Sequence, residues 1–184
     1  MNDPRLLWWV DRSTGLVSLA LLTVVLALGI LSVGRPPRLP VWRAVVQAVH
    51  RELPLVALLL LAVHIGTAIA DPHVGLALKH VVVPFTATWE PFWVGLGALA
   101  VDLVVVLVVT SLLRGRLAPH VWHAVHVLAY AVWPLAVGHA LALGTDAGVG
   151  AIRWVGAVCL AVVLLALGRR LALVGSGAAP VRVR

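Results

Sequence analysis

Histidine is the residue type through which this sequence could do most chemistry. Eight are present: His50, His64, His73, His80, His120, His123, His126 and His139. The one cysteine, Cys159, lies in an apolar run, and Met1 is the one methionine. A disulfide within these residues is therefore excluded, and a metal held among apolar segments must rest on imidazole rather than sulfur. His50 and His64 are 14 residues apart, which on a helix is a rise of ~21 Å with the side chains ~40° apart. His126 and His139 are 13 residues apart, a rise of ~19.5 Å, though ~140° apart on an ideal helix. Two parallel helices with pairs matched in height can hold two stacked haems, each iron gripped by one imidazole from either helix. With both axial positions filled by His, the iron does not readily bind oxygen and suits electron transfer. His123 and His120 would need rises of ~24 and ~28.5 Å to His139, so His126 is the better match. Pro54 and Pro134 lie between the members of each pair and are expected to disturb those helices.

The elements that must position these groups follow from composition. Of 184 residues, 62% are hydrophobic and 11% charged, where a soluble domain would carry roughly a quarter charged. There is too little polar surface to cover a globule in water, and the apolar runs are near 20 residues long, about enough to cross ~30 Å of hydrocarbon. The reading is an all-α membrane bundle of five transmembrane helices: Thr14 to Val33, Val41 to Ala70, Pro91 to Leu113, Pro119 to Leu143, and Ile152 to Leu167 or slightly beyond. The second is longer than a bilayer needs, so it tilts or protrudes. Breaks fall at Gly34-Arg35-Pro36-Pro37, Asp71-Pro72, Arg114-Gly115-Arg116 and Gly144-Thr145-Asp146. The first run is too long for a cleaved signal and is kept as a span. Residues 1–174 read as one transmembrane domain and residues 175–184 as a flexible cytoplasmic tail. The loop Asp71 to Glu90 is expected along the outer interface.

A net charge of +7 in such a chain is first a topology signal rather than a nucleic-acid one. Arg35, Arg38, Arg43, Arg51, Arg114, Arg116, Arg169, Arg170, Arg182 and Arg184 fall on one side, with Glu52 alone against them. The other side has Arg5, Arg12, Lys79 and Arg153 against Asp3, Asp11, Asp71, Glu90 and Asp146. The positive-inside rule then puts the amino terminus outside and the carboxyl terminus in the cytoplasm. Trp8, Trp9, Trp42, Trp89, Trp93, Trp122 and Trp154 lie at or just before span starts, at headgroup depth, whereas Trp133 is mid-span.

Arg43 and Arg51 lie near the inner end of the second span, where the propionates of an inner haem would point, and an arginine fork pairs well with carboxylates. Gly66 and Gly138 flank the outer histidines and could admit a porphyrin or simply pack helices closely. Asp102 is the one acid at mid-span and Trp133 reads as core. His120 and His123 read as interfacial or supporting residues, and His73 and His80 as surface residues of the outer loop. A single intramembrane histidine can also serve only as a helix–helix hydrogen-bonding group.

Several segments resemble the ferric reductase-like transmembrane domain, the haem module of NADPH oxidases, ferric reductases and the haem subunit of bacterial methionine sulfoxide reductases. They are Arg12-Ser13-Thr14-Gly15-Leu16, His50-Arg51-Glu52-Leu53 through His64, Val109-Thr110-Ser111-Leu112-Leu113-Arg114, and Trp122-His123-Ala124-Val125-His126 through Tyr130 and His139. The resemblance covers most of residues 12–146. It implies His50 with His126 at an inner haem b and His64 with His139 at an outer one. Oxidases and reductases continue into a flavin and nicotinamide domain and have six helices; this sequence has five spans, no Gly-rich phosphate loop and no Rossmann-like pattern. Electrons must then come from a separate flavoprotein, a flavin at the cytoplasmic face or membrane quinol, none with a recognisable motif here. Three functions stay open: a two-haem cytochrome subunit moving electrons to an outer acceptor, a single-haem quinone-linked reductase subunit, and a non-redox membrane carrier or assembly protein. The first two would be oxidoreductase components, the third not.

Overall fold

The computed structural model describes residues 4–32, 40–144 and 150–175. All regular structure in them is helical. The long elements are α1 (Pro4–Ser32), α2 (Pro40–Ala70), α4 (Pro91–Leu112) and α7 (Ala151–Gly175). Short α3 (Leu78–Val82) lies in the loop between α2 and α4, and a fourth apolar stretch is divided into α5 (Pro119–His126) and α6 (Ala129–Leu143). Taking α5 and α6 together, five helical segments are long and apolar enough to cross a membrane. The breaker at residues 34–37, Thr145 and Asp146, and the tail from residue 176 lie outside the described residues.

Hydrocarbon offers no water to satisfy polar groups, so span hydroxyls turn back on their own helix. Thr14 donates to the Val10 carbonyl at 2.6 Å, Thr23 to Leu19 at 2.7 Å, Thr67 to Val63 at 2.9 Å and Thr110 to Val106 at 2.7 Å. Proline opens α4 and α5 at Pro91 and Pro119, positions where its missing N–H is not needed. Large apolar side chains such as Leu59, Leu165 and Leu171 point outward, as a lipid-facing surface requires.

The helices pack as two pairs. α1 lies along α2, α4 lies along α6, and α1 also touches α6 and α7. By contrast, α2 makes scarcely any close backbone approach to α5 or α6. The histidine-bearing helices are thus held apart, each backed by a helix of its own. The pairs are tied where Trp133 on α6 donates its indole N–H to the Thr23 hydroxyl on α1 at 2.8 Å, inside a buried cluster with Leu19, Ala27, Ile30, Cys159 and Val163. Trp133 is therefore core, as its position suggested.

Three features depart from expectation, the first being α7, which runs to Gly175, about two turns past the expected end near Leu167 and through Arg169 and Arg170. α1 begins at Pro4 rather than Thr14, because Asp11 and Arg12, which look like the end of an apolar run, have partners within the bundle: Arg12 donates to the Leu143 carbonyl at 2.9 Å, and Asp11 meets His64. The fourth span breaks at Val127-Leu128, whereas α2 and α6 run on through Pro54 and Pro134.

The loop between α2 and α4 folds over the bundle. Phe85, in the left-handed region at φ 66°, seats its ring on Gly95, where a side chain would collide with both the ring and the Phe85 backbone nitrogen. Replacing Thr23 by Val should leave the buried Trp133 N–H without an acceptor and destabilise the bundle by about 1 kcal/mol. The expected outcome is a lowered thermal midpoint in detergent with unchanged helical circular dichroism.

Candidate functional site: two histidine pairs at two depths

The site is built by α1, α2, α4, α5 and α6. His50 on α2 and His126 at the end of α5 have ring centroids 6.1 Å apart, and His64 on α2 and His139 on α6 have theirs 6.3 Å apart. The rings of each pair stand steeply to one another, at 70° and 87°. The pairing expected from helical rise is the pairing observed.

The ~140° misfit between His126 and His139 is reduced by the break at Val127-Leu128. There the N–H groups of Leu128, Tyr130 and Ala131 donate three residues back, to Val125, Val127 and Leu128, at 3.0, 3.1 and 2.9 Å. Residues in such tight turns rotate about 20° further than in an α-helix, so three of them bring the angle down from about 140° to about 80°.

Three of the four rings are anchored in one way. His50 Nδ1 lies 3.2 Å from the Val25 carbonyl oxygen, His64 Nδ1 lies 3.0 Å from that of Asp11, and His139 Nδ1 lies 2.9 Å from that of Trp93. A carbonyl oxygen only accepts, so each Nδ1 must carry the proton, and the lone pair of the neutral ring is left on Nε2. Each of these carbonyls lies four residues before a glycine: Val25 before Gly29, Asp11 before Gly15, Trp93 before Gly97. In a helix the side chain at i+4 stands beside the carbonyl of residue i, so glycine there opens the oxygen to a neighbouring ring. A Cβ on Gly97 would come within 2.5 Å of His139, one on Gly15 within 3.1 Å of His64, and one on Gly29 within 3.4 Å of His50.

His126 is held differently. Its Nδ1 is buried with no hydrogen-bond partner, and its ring stacks on Trp122 at 4.7 Å and 20°. Trp122 in turn lies 4.3 Å beneath the Arg114 guanidinium. Trp122 thus forms a wall of the His50–His126 pair.

A cavity of about 210 Å³ surrounds the His64–His139 pair, bordered also by Gly15, Gly97, Arg12 and His80. Ser18, 1% exposed, lines it as well, and unlike the threonines above its hydroxyl has no hydrogen-bond partner. The expectation that His80 is a surface residue is corrected here. It is buried on α3, and its Nδ1 accepts the Ala77 N–H at 3.1 Å. His73 is exposed and lies beside Asp71, whose carboxylate accepts its backbone N–H at 2.9 Å and so stays below the usual carboxylate range.

The other expected residues are less engaged. Arg43 is exposed, and Arg51 is exposed and paired with Glu52 at 2.8 Å. His120 and His123 are exposed. Asp102 is half-buried on α4 and makes no hydrogen bond among the described residues. A Cβ on Gly66 would meet nothing, and one on Gly138 only Leu96 at 3.4 Å, so these are not the glycines that matter. Gly97, Gly29 and Asp11 were missed as site residues. A signal for two of the glycines existed: Gly15 and Gly29 are 14 residues apart, the same interval as His50 and His64 on the facing helix.

Among the described residues no three His, Cys, Asp or Glu gather to hold a bare metal ion. Two imidazoles per level suit a metal whose other ligands come from a macrocycle. Two metal–nitrogen bonds of about 2 Å and half of each ring amount to about 6 Å, the separation found in both pairs.

The glycine contacts predict a graded series. Gly97→Ala should lower the thermal midpoint most, by the equivalent of about 1–3 kcal/mol for overpacking. Gly15→Ala should cost less, and Gly66→Ala should be neutral or slightly stabilising through helix propensity. Differential scanning fluorimetry of the three variants checks the order.

Comparison with known proteins adds a family but no individual relative. No curated protein and no solved structure matches the chain. One family model matches residues 6–146, a stretch that contains all four paired histidines. The chain belongs to that family, described as Domain of unknown function (DUF8596).

Proposed function

We propose that this protein is a b-type cytochrome of the membrane, an oxidoreductase component that carries electrons between its two faces through two bis-histidine haems. His50 and His126 would hold the inner haem, His64 and His139 the outer one. One observation carries the reading. At two depths the rings of facing helices pair about 6 Å apart, and three of the four have Nδ1 committed to a carbonyl, leaving Nε2 as the ligating nitrogen. The gap between α2 and the α5–α6 segment, the three glycines under the rings and the unpartnered Ser18 hydroxyl support it. So does the resemblance to the ferric reductase-like transmembrane domain.

Bound there, haem would supply a one-electron iron couple suited to electron transfer. The chain's own residues do the rest. Val25, Asp11 and Trp93 fix ring tautomer and orientation through their carbonyls, which also raises the basicity of the ligands. Trp122 packs flat on His126 and excludes water from the inner pair. Arg43 contributes positive charge at the inner end, while Arg51 is engaged with Glu52 at the surface. The charge distribution supports a multi-pass chain with its amino terminus outside and its carboxyl terminus in the cytoplasm. The cytoplasmic-side donor in this reading is a flavoprotein, a flavin bound at that face or membrane quinol, and the acceptor lies outside.

The test is a reduced-minus-oxidised spectrum of the purified protein with haem quantified per chain by pyridine extraction. Two haems are expected, falling to one in His64→Ala or His139→Ala and, separately, in His50→Ala or His126→Ala. Colourless wild-type protein would overturn the proposal in favour of a carrier or assembly role. A stoichiometry of one would favour the quinone-linked form, and two haems retained in the His64→Ala/His139→Ala double variant would refute the ligand assignment.

A further inference from the structure

The two histidine pairs are alike in spacing but not in what stands behind the rings. Behind the outer pair, His139 donates to the Trp93 carbonyl at 2.9 Å, and His64 donates to the Asp11 carbonyl at 3.0 Å. The carboxylate of the same Asp11 also lies 2.9 Å from His64 Nδ1. That oxygen is buried and has no partner besides this ring nitrogen among the described residues, so the carboxylate stands directly beside the ligand. Arg12 is the neighbouring cation, and its guanidinium reaches the Leu143 carbonyl and lies 5.8 Å from the Trp8 ring. Behind the inner pair, His50 has one longer bond of 3.2 Å, and His126 has no acceptor at all.

We infer that Asp11 is a tuning residue that makes the outer site the lower-potential member of the pair. This rests on the two-haem reading. A ligand imidazole whose N–H is shared with strong acceptors gains imidazolate character, and a negative charge beside it favours the more positive, oxidised iron. Both effects act on the outer site, where the neighbouring Arg12 guanidinium offsets part of the charge and the water-poor interior screens the rest weakly. The inner site has a single weak bond of this kind, so its iron is the easier to reduce. Electron passage outward between the two sites runs against this difference, and passage inward runs with it. A membrane potential positive outside pulls electrons outward and so offsets the difference.

The experiment is a spectroelectrochemical titration of the purified haem-loaded protein, with the outer wave assigned as the one lost in His139→Ala. Two waves are expected, the outer one lower. Asp11→Asn keeps the backbone carbonyl and the side-chain shape but removes the charge, and should move the outer wave upward while the inner stays put. Should that variant misfold, Asp11→Ser provides the same charge removal, and the low-spin electron paramagnetic resonance g-values of the outer haem give a second readout of imidazolate character. Two normal waves with the outer one unmoved, or with both moved equally, would overturn the inference and leave the two-haem reading intact. Wild-type protein without haem would overturn both.

Discussion

The structure turns on one contact made three times: an imidazole N–H reaching a main-chain carbonyl of a neighbouring helix across a glycine. Helix carbonyls are already engaged by the N–H four residues on, and in most helices the side chain at that position shields them further. Where it is hydrogen, the second lone pair of the oxygen becomes an acceptor that needs no polar side chain in the membrane. The contact fixes which ring nitrogen holds the proton and which way the ring faces. It also ties helices α1 and α4 to the histidine rings of α2 and α6 through the backbone.

From that contact follows the packing into two pairs. α1 must lie against α2 along its length so that Val25 and Asp11 reach His50 and His64 together. α4 must lie against α6 so that Trp93 reaches His139. The two pairs are joined by the Trp133–Thr23 bond with the apolar cluster around it, by a second buried cluster that includes Ala100, Val104 and Val132, and by the Arg12–Leu143 bond. The loop between α2 and α4 completes the enclosure, with Phe85 seated on Gly95 and His80 buried beside the cavity.

The exception informs as much as the rule. His126 ends α5, where the chain tightens before α6, and no helix offers it a carbonyl over a glycine. An aromatic wall, Trp122 under Arg114, takes the place of the hydrogen bond. The break that costs His126 this partner is also what rotates His139 toward the shared cleft. Both histidines can face α2 because the span between them is not one regular helix.

Much of this was legible beforehand. The apolar runs bounded five spans to within a turn at most ends, because hydrocarbon thickness imposes length and polar groups are costly inside it. The interval of 14 residues between His50 and His64 and of 13 between His126 and His139 set the pairing, because helical rise is nearly constant. What the sequence could not decide was rotation about the helix axes. Pro134 looked like the break and was not; the tight turn falls at Val127-Leu128, which no local residue type announces. Asp11 and Arg12 looked like the end of a hydrophobic run and are interior groups, because their partners, His64 and Leu143, are 53 and 131 positions away in the chain. Height along the membrane is a property of local sequence; which way a ring faces, and what stands behind it, depends on neighbours that only the tertiary structure brings together.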